Sequence, residues 1–115
     1  MNSKALIYAT AAGTVLQLAM VLVGHQITAV QAGFMWGGLL ISALAGVVYA
    51  RMAGGGLGVD ALGGAVAGGL CALFGIAVSY ALGDVPAMVI AFGTASSAVT
   101  GAIGGALGRL ARKPA

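Results

Sequence analysis

The sequence predicts an all-α integral membrane bundle of four transmembrane helices, with both ends on the cytoplasmic side. Three observations predict it. The 115 residues are 61% hydrophobic and only 6% charged, against about 25% charged residues in soluble domains. The chain divides into four long apolar runs separated by short polar or glycine-rich links. All five Lys and Arg residues fall on links or ends that an even number of crossings places on one side. With so few charges a soluble fold could not cover its surface, and the length suits one transmembrane domain, residues 1–115.

The first span is expected over 5–24. Its 20 uncharged residues make about 30 Å of helix, one bilayer core. That run is longer than the apolar stretch of a cleaved signal peptide, so it reads as an uncleaved crossing. His25-Gln26-Ile27-Thr28 is a short polar link, and the second span is expected over 30–51, ending on Arg51. Four glycines among Gly54-Gly55-Gly56-Leu57-Gly58 have loop composition. The third span is expected over 59–82. Gly83-Asp84-Val85-Pro86 reads as a tight turn, with Asp84 able to cap and Pro86 tolerated in a first turn. The fourth span is expected over 85–108, followed by a cationic tail over 109–115.

Orientation follows from charge. With a cytoplasmic N-terminus, Lys4, Arg51, Arg109, Arg112 and Lys113 all lie inside, and the links around His25 and Asp84 carry no Lys or Arg. This predicts a multi-pass protein of the cell membrane. Tyr8 and Tyr49 are expected at the inner boundary and Trp36 and Tyr80 toward the outer one, where amphipathic rings suit the interface. Arg109, Arg112 and Lys113 are expected to anchor the last helix on anionic lipid.

Small residues carry the packing signal. Gly64, Gly68, Ala72, Gly75 and Ser79 recur at helical spacing, as do Thr94, Ser97, Gly101, Gly105 and Gly108. Without a hydrophobic force between helices in lipid, such faces let backbones approach closely. Gly64, Gly68, Gly75, Gly101, Gly105 and Gly108 are therefore the expected packing residues, within one chain and also, as an expectation, between copies in a homo-oligomer or larger complex. The second span adds Gly38, Ser42 and Gly46. A shift of 55 residues aligns ten identities over the 35 positions from Ala12 to Gly46. That hints at two related hairpins, although Ala, Gly, Val and Leu supply most of the matches.

Chemistry-bearing residues are few. Gly56-Leu57-Gly58-Val59-Asp60-Ala61 imitates a dinucleotide fingerprint but lacks the strand and βαβ unit that motif needs. The lone Cys71 excludes an intrachain disulfide, and the lone His25 cannot by itself hold a metal. Asp60 and Asp84 are the only acids, both near helix starts. The small multidrug carriers share this size and span number but depend on a membrane-embedded acid, so that likeness does not hold. No catalytic set, metal site, cofactor site or nucleic-acid surface is predicted. Gln17 is the most interior polar side chain of the first span, and together with Thr94, Ser97 and Thr100 it is the candidate polar patch at mid-depth.

Three functions fit these features. The first is a non-enzymatic accessory or assembly component of the membrane. The second is a small homo-oligomeric channel or uncoupled transporter built on the Gln17 patch. The third is a holin-type permeabilising protein.

Overall fold

The computed structural model describes residues 2–111, and Arg112 and Lys113 lie outside the described residues. The described chain is helical throughout, with five helices and no strand. They are α1 (Ser3–Gln26), α2 (Thr28–Ala32), α3 (Phe34–Ala53), α4 (Leu57–Ala81) and α5 (Met88–Ala111). All but α2 are long and apolar enough to cross a bilayer. The molecule is a rod of 46 × 21 × 20 Å, its long axis matching a bilayer with its head-group regions.

Several boundaries differ from the expected ones. The expected second span is broken at Gly33, which separates the one-turn helix α2 from α3. The third begins earlier, at Leu57, because Gly56 in extended conformation caps it. The fourth begins later, at Met88, since the chain through Pro86 is still turning. Arg109 belongs to the last turn of α5, rather than to a separate tail.

Neither acid caps a helix. Asp60 is inside the first turn of α4, fully buried, and its Oδ1 accepts the Gly55 N–H at 3.2 Å. Asp84 closes the end of α4. Its N–H bonds the Ser79 carbonyl, and the Gly83 N–H bonds the Tyr80 carbonyl. That pair of bonds requires a left-handed residue between helix and turn, and Gly83 supplies it with φ of 80°. The N-cap of α1 is Asn2, whose side chain accepts the Ala5 N–H at 3.0 Å.

The packing inverts the soluble pattern. Fully buried apolar positions are mostly alanine, with Val21, Tyr49 and Cys71. The large side chains point outward: Trp36 is 74% exposed, Phe92 68% and Ile7 68%. Helices whose association is not driven by water bury small residues and leave bulky ones to the lipid. The four long helices form a lozenge in which α3 and α4 touch each other and both touch α1 and α5. The helices α1 and α5 do not touch.

One half of this lozenge is held at backbone distance. A methyl group at Gly101 would collide with the Gly64 carbonyl, one at Gly105 with the Asp60 carbonyl, and one at Gly104 with the Ala43 carbonyl. A methyl at Gly68 would stand 2.9 Å from the Gly101 Cα, and one at Gly108 2.9 Å from the Val47 carbonyl oxygen. The glycines of α5 thus seat that helix against α4 and α3 at once. Gly75 instead faces α1, where a methyl would stand 2.8 Å from the Gln17 Cβ.

The same half contains both chain ends and the α3–α4 link. The Tyr49 hydroxyl accepts the Asn2 N–H at 3.0 Å, joining the end of α3 to the start of α1. Arg109 donates from Nε to the Gly55 carbonyl at 2.9 Å, joining α5 to the link. Tyr49 is therefore a core residue and not an interfacial one. It is fully buried, its ring lying flat over Gly63, where any side chain would enter the ring.

Candidate functional site

The other half opens. Between α1, α3, α4 and α5 lies a cavity of about 650 Å³, far above the voids that close-packed interiors tolerate and in the size range of small-molecule sites. Its back wall is α4, through Ala72, Ile76 and Ser79. Its rim carries Met35 of α3 and Met88 and Phe92 of α5, each more than half exposed. The gap between α3 and α5 therefore faces the apolar exterior. The wall is largely aliphatic and aromatic, and no Lys or Arg lines it.

The floor is a polar node built by three helices. Gln17 of α1 is 2% exposed and donates from Nε2 to the Gly38 carbonyl at 3.2 Å and to the Ser42 Oγ at 3.3 Å. Ser42 in turn donates to the Gly68 carbonyl at 3.2 Å, and the Cys71 thiol reaches the same oxygen at 3.3 Å. The Gln17 amide and Cys71 Sγ lie 3.9 Å apart. A carbonyl oxygen only accepts, so the Gly38 contact fixes the Gln17 nitrogen on the α3 side. Helix phase explains the convergence: Ala9, Gly13, Gln17 and Val21 form the buried face of α1. Beyond the node, Gly13, Ala45 and Cys71 fill the axis, since a methyl at Gly13 would stand 2.9 Å from the Cys71 Sγ and 3.2 Å from the Ala45 Cβ.

The mouth is tied by one contact. His25, at the end of α1, lies 2.9 Å through Nδ1 from Asp84 Oδ2 of the α4–α5 turn. It ties the end of α1 to the turn that leads into α5, two helices that make no direct contact. This contact leaves His25 well away from Cys71, whose partners are Gln17, Ser42 and Gly68.

The predicted patch residues are only partly brought together. Gln17 and Ser97 line the same cavity but share no bond, because α1 and α5 do not meet. Thr100 bonds back to the Ser97 carbonyl of its own helix at 3.1 Å, a common membrane-helix habit. The Thr94 hydroxyl is buried and makes no hydrogen bond. Sequence reasoning did not assign Ser42, Cys71 and Ser79 to the site. Ser42 and Ser79 stood in the small-residue stripes, and their hydroxyls were the available signal. Arg109 is only partly exposed and is engaged with the link before α4. The six predicted packing glycines all lie against other helices of the same chain. Among the described residues no group of three or more His, Cys, Asp or Glu is placed to hold a metal ion. No protein-family model, curated protein or solved structure matches the chain.

Proposed function

We propose that this small multi-pass membrane protein is a non-catalytic accessory component that holds an apolar guest in the cavity between α3 and α5. The single observation that carries the reading is the contrast along the bundle: one half is sealed by glycine backbone contacts, and the other opens around about 650 Å³ of largely apolar-walled space. The walls of that space are mostly carbon, interrupted by a few polar groups such as Gln17 and Ser79. Apolar surface is matched there by an apolar occupant. Purification in lipid nanodiscs followed by native mass spectrometry tests the reading. The full chain should retain a bound apolar molecule, and Gly38→Phe should lose it. The Cβ of that phenylalanine would meet nothing closer than 3.6 Å, and Gly38 lines the cavity that the ring is meant to fill. Retention of the same guest by the blocked variant would sink the proposal.

The one-sided form of the cavity, ending on the Gln17 node, also supports an uncoupled carrier caught open to one face. That reading predicts guest flux across protein-containing liposomes, abolished by Gly38→Phe. Binding without flux would leave the accessory role alone.

A further inference from the structure

We infer that the guest is an uncharged alkyl amphiphile whose head carries an O–H donor, seated with the head at Gln17 and Ser79 and the chain toward the rim; this rests on the guest-holding reading above. The donor requirement comes from Gln17. Its nitrogen is committed to Gly38 and Ser42, whereas its oxygen Oε1 accepts no hydrogen bond among the described residues. An amide oxygen that faces the cavity without a donor is a ready acceptor, and a hydroxyl entering the cavity would satisfy it. Ser79 is the second, independent sign. It is 2% exposed, lines the cavity, and its hydroxyl bonds nothing. It lies one helical turn, about 6 Å of backbone rise, beyond Gly75, the glycine set against Gln17.

The charge requirement comes from the walls. No cation lines the cavity, and its one charged residue is Asp84, held at the mouth by His25. A carboxylate head would find no cation to pair with in the wall and would face that acid, and desolvating a charge without a counter-charge is costly. An ether or ester head, accepting only, would leave Oε1 unmet. The rim suits a chain: Met35 and Met88 are adaptable and Phe92 is flat and exposed.

The test uses the full chain in phosphatidylcholine nanodiscs, with a diazirine-bearing alkanol and the matched diazirine-bearing alkane as photolabels. Labelled residues are mapped by mass spectrometry. The alkanol should label cavity positions such as Ile76 and Val89. 1-Dodecanol should displace it, 1-methoxydodecane about fivefold more weakly, the equivalent of one neutral hydrogen bond, and dodecanoate not measurably. Ser79→Ala removes a hydroxyl that supports no contact, so the fold is kept, and alcohol and ether should both bind more weakly while the gap between them, set at Oε1, stays. Equal competition by alcohol and ether, or displacement by dodecanoate, would overturn the head-group inference while the guest reading stands. Failure of both photolabels to reach the cavity would overturn the guest reading and this inference with it.

Discussion

The two halves of the bundle use the same composition to opposite effect. At the end holding Asn2, Tyr49 and Arg109, glycine faces meet glycine faces and helices pack backbone to backbone. At the end holding His25 and Asp84, glycine mostly meets large side chains. A methyl at Gly93 would touch only the Ile76 and Val89 tips, and one at Gly37 the sulfur of Met20. Glycine content alone therefore does not decide how tightly a membrane helix packs. What decides it is whether the residue opposite is also small. Where α5 offers Gly101, Gly104, Gly105 and Gly108 to α3 and α4, the structure closes. Where it offers Met88 and Phe92, it stays open around a cavity.

The sharpest way to break this comparison is one substitution made in each half. Gly101→Ala forces the carbonyl of Gly64 aside, and overpacking against backbone costs about 1–3 kcal/mol or more. Gly101→Leu and Gly105→Leu should exceed that and abolish a monodisperse, cooperatively melting species in detergent. Gly93→Ala asks only a side-chain tip to swing, while gaining about 1 kcal/mol of helix propensity. Its melting temperature should match or exceed the parent's. Equal losses for Gly101→Ala and Gly93→Ala would erase the distinction between the halves.

Smaller effects sharpen it. Gln17→Leu removes the donor shared by Gly38 and Ser42 and should lower stability by about 1 kcal/mol, the usual scale for a polar contact between membrane helices. Thermal melting of the single and of the Gln17→Leu, Ser42→Ala pair would show coupling if the node acts as a unit. Tyr49→Phe loses the bond from Asn2 but keeps the ring over Gly63, so about 0.5–1.5 kcal/mol is expected. Smallest is His25→Ala. Its pair with Asp84 is solvent-reached on the histidine side, and such pairs contribute under about 1 kcal/mol. Its loss should leave the melting temperature nearly unchanged.

The helices were legible because composition and run length fix them, and the close approach of α4 and α5 was legible because Gly64, Gly68, Gly101 and Gly105 keep helical phase. The break at Gly33 was not, since glycine is ordinary inside membrane helices and the apolar run passes straight through it. Tyr49 shares a helical face with Ser42, Ala45 and Gly46, so its burial was readable from phase. The preference of tyrosine for interfaces pointed the other way, and packing over Gly63 with a backbone partner for its hydroxyl outweighed it. Gln17 could be recognised as interior, but its partners depend on α1 packing against α3 and α4 and missing α5, which no local pattern encodes. The cavity was invisible for a similar reason: it exists where α3 and α5 fail to meet, and sequence spacing records contacts better than gaps.

Whether the bundle is sealed in one half and open in the other shows in the α3–α5 separation at two depths. Spin labels at Val48 and Leu107 report the closed half, and labels at Trp36 and Phe92 report the open half. All four positions are exposed, and Cys71 is fully buried. Pulsed electron resonance in nanodiscs should give one narrow distance distribution for the closed pair, unmoved by added 1-dodecanol. The open pair should give a broader distribution that shifts or narrows when the alcohol is added. Two narrow distributions, both indifferent to the alcohol, would contradict that division of the bundle.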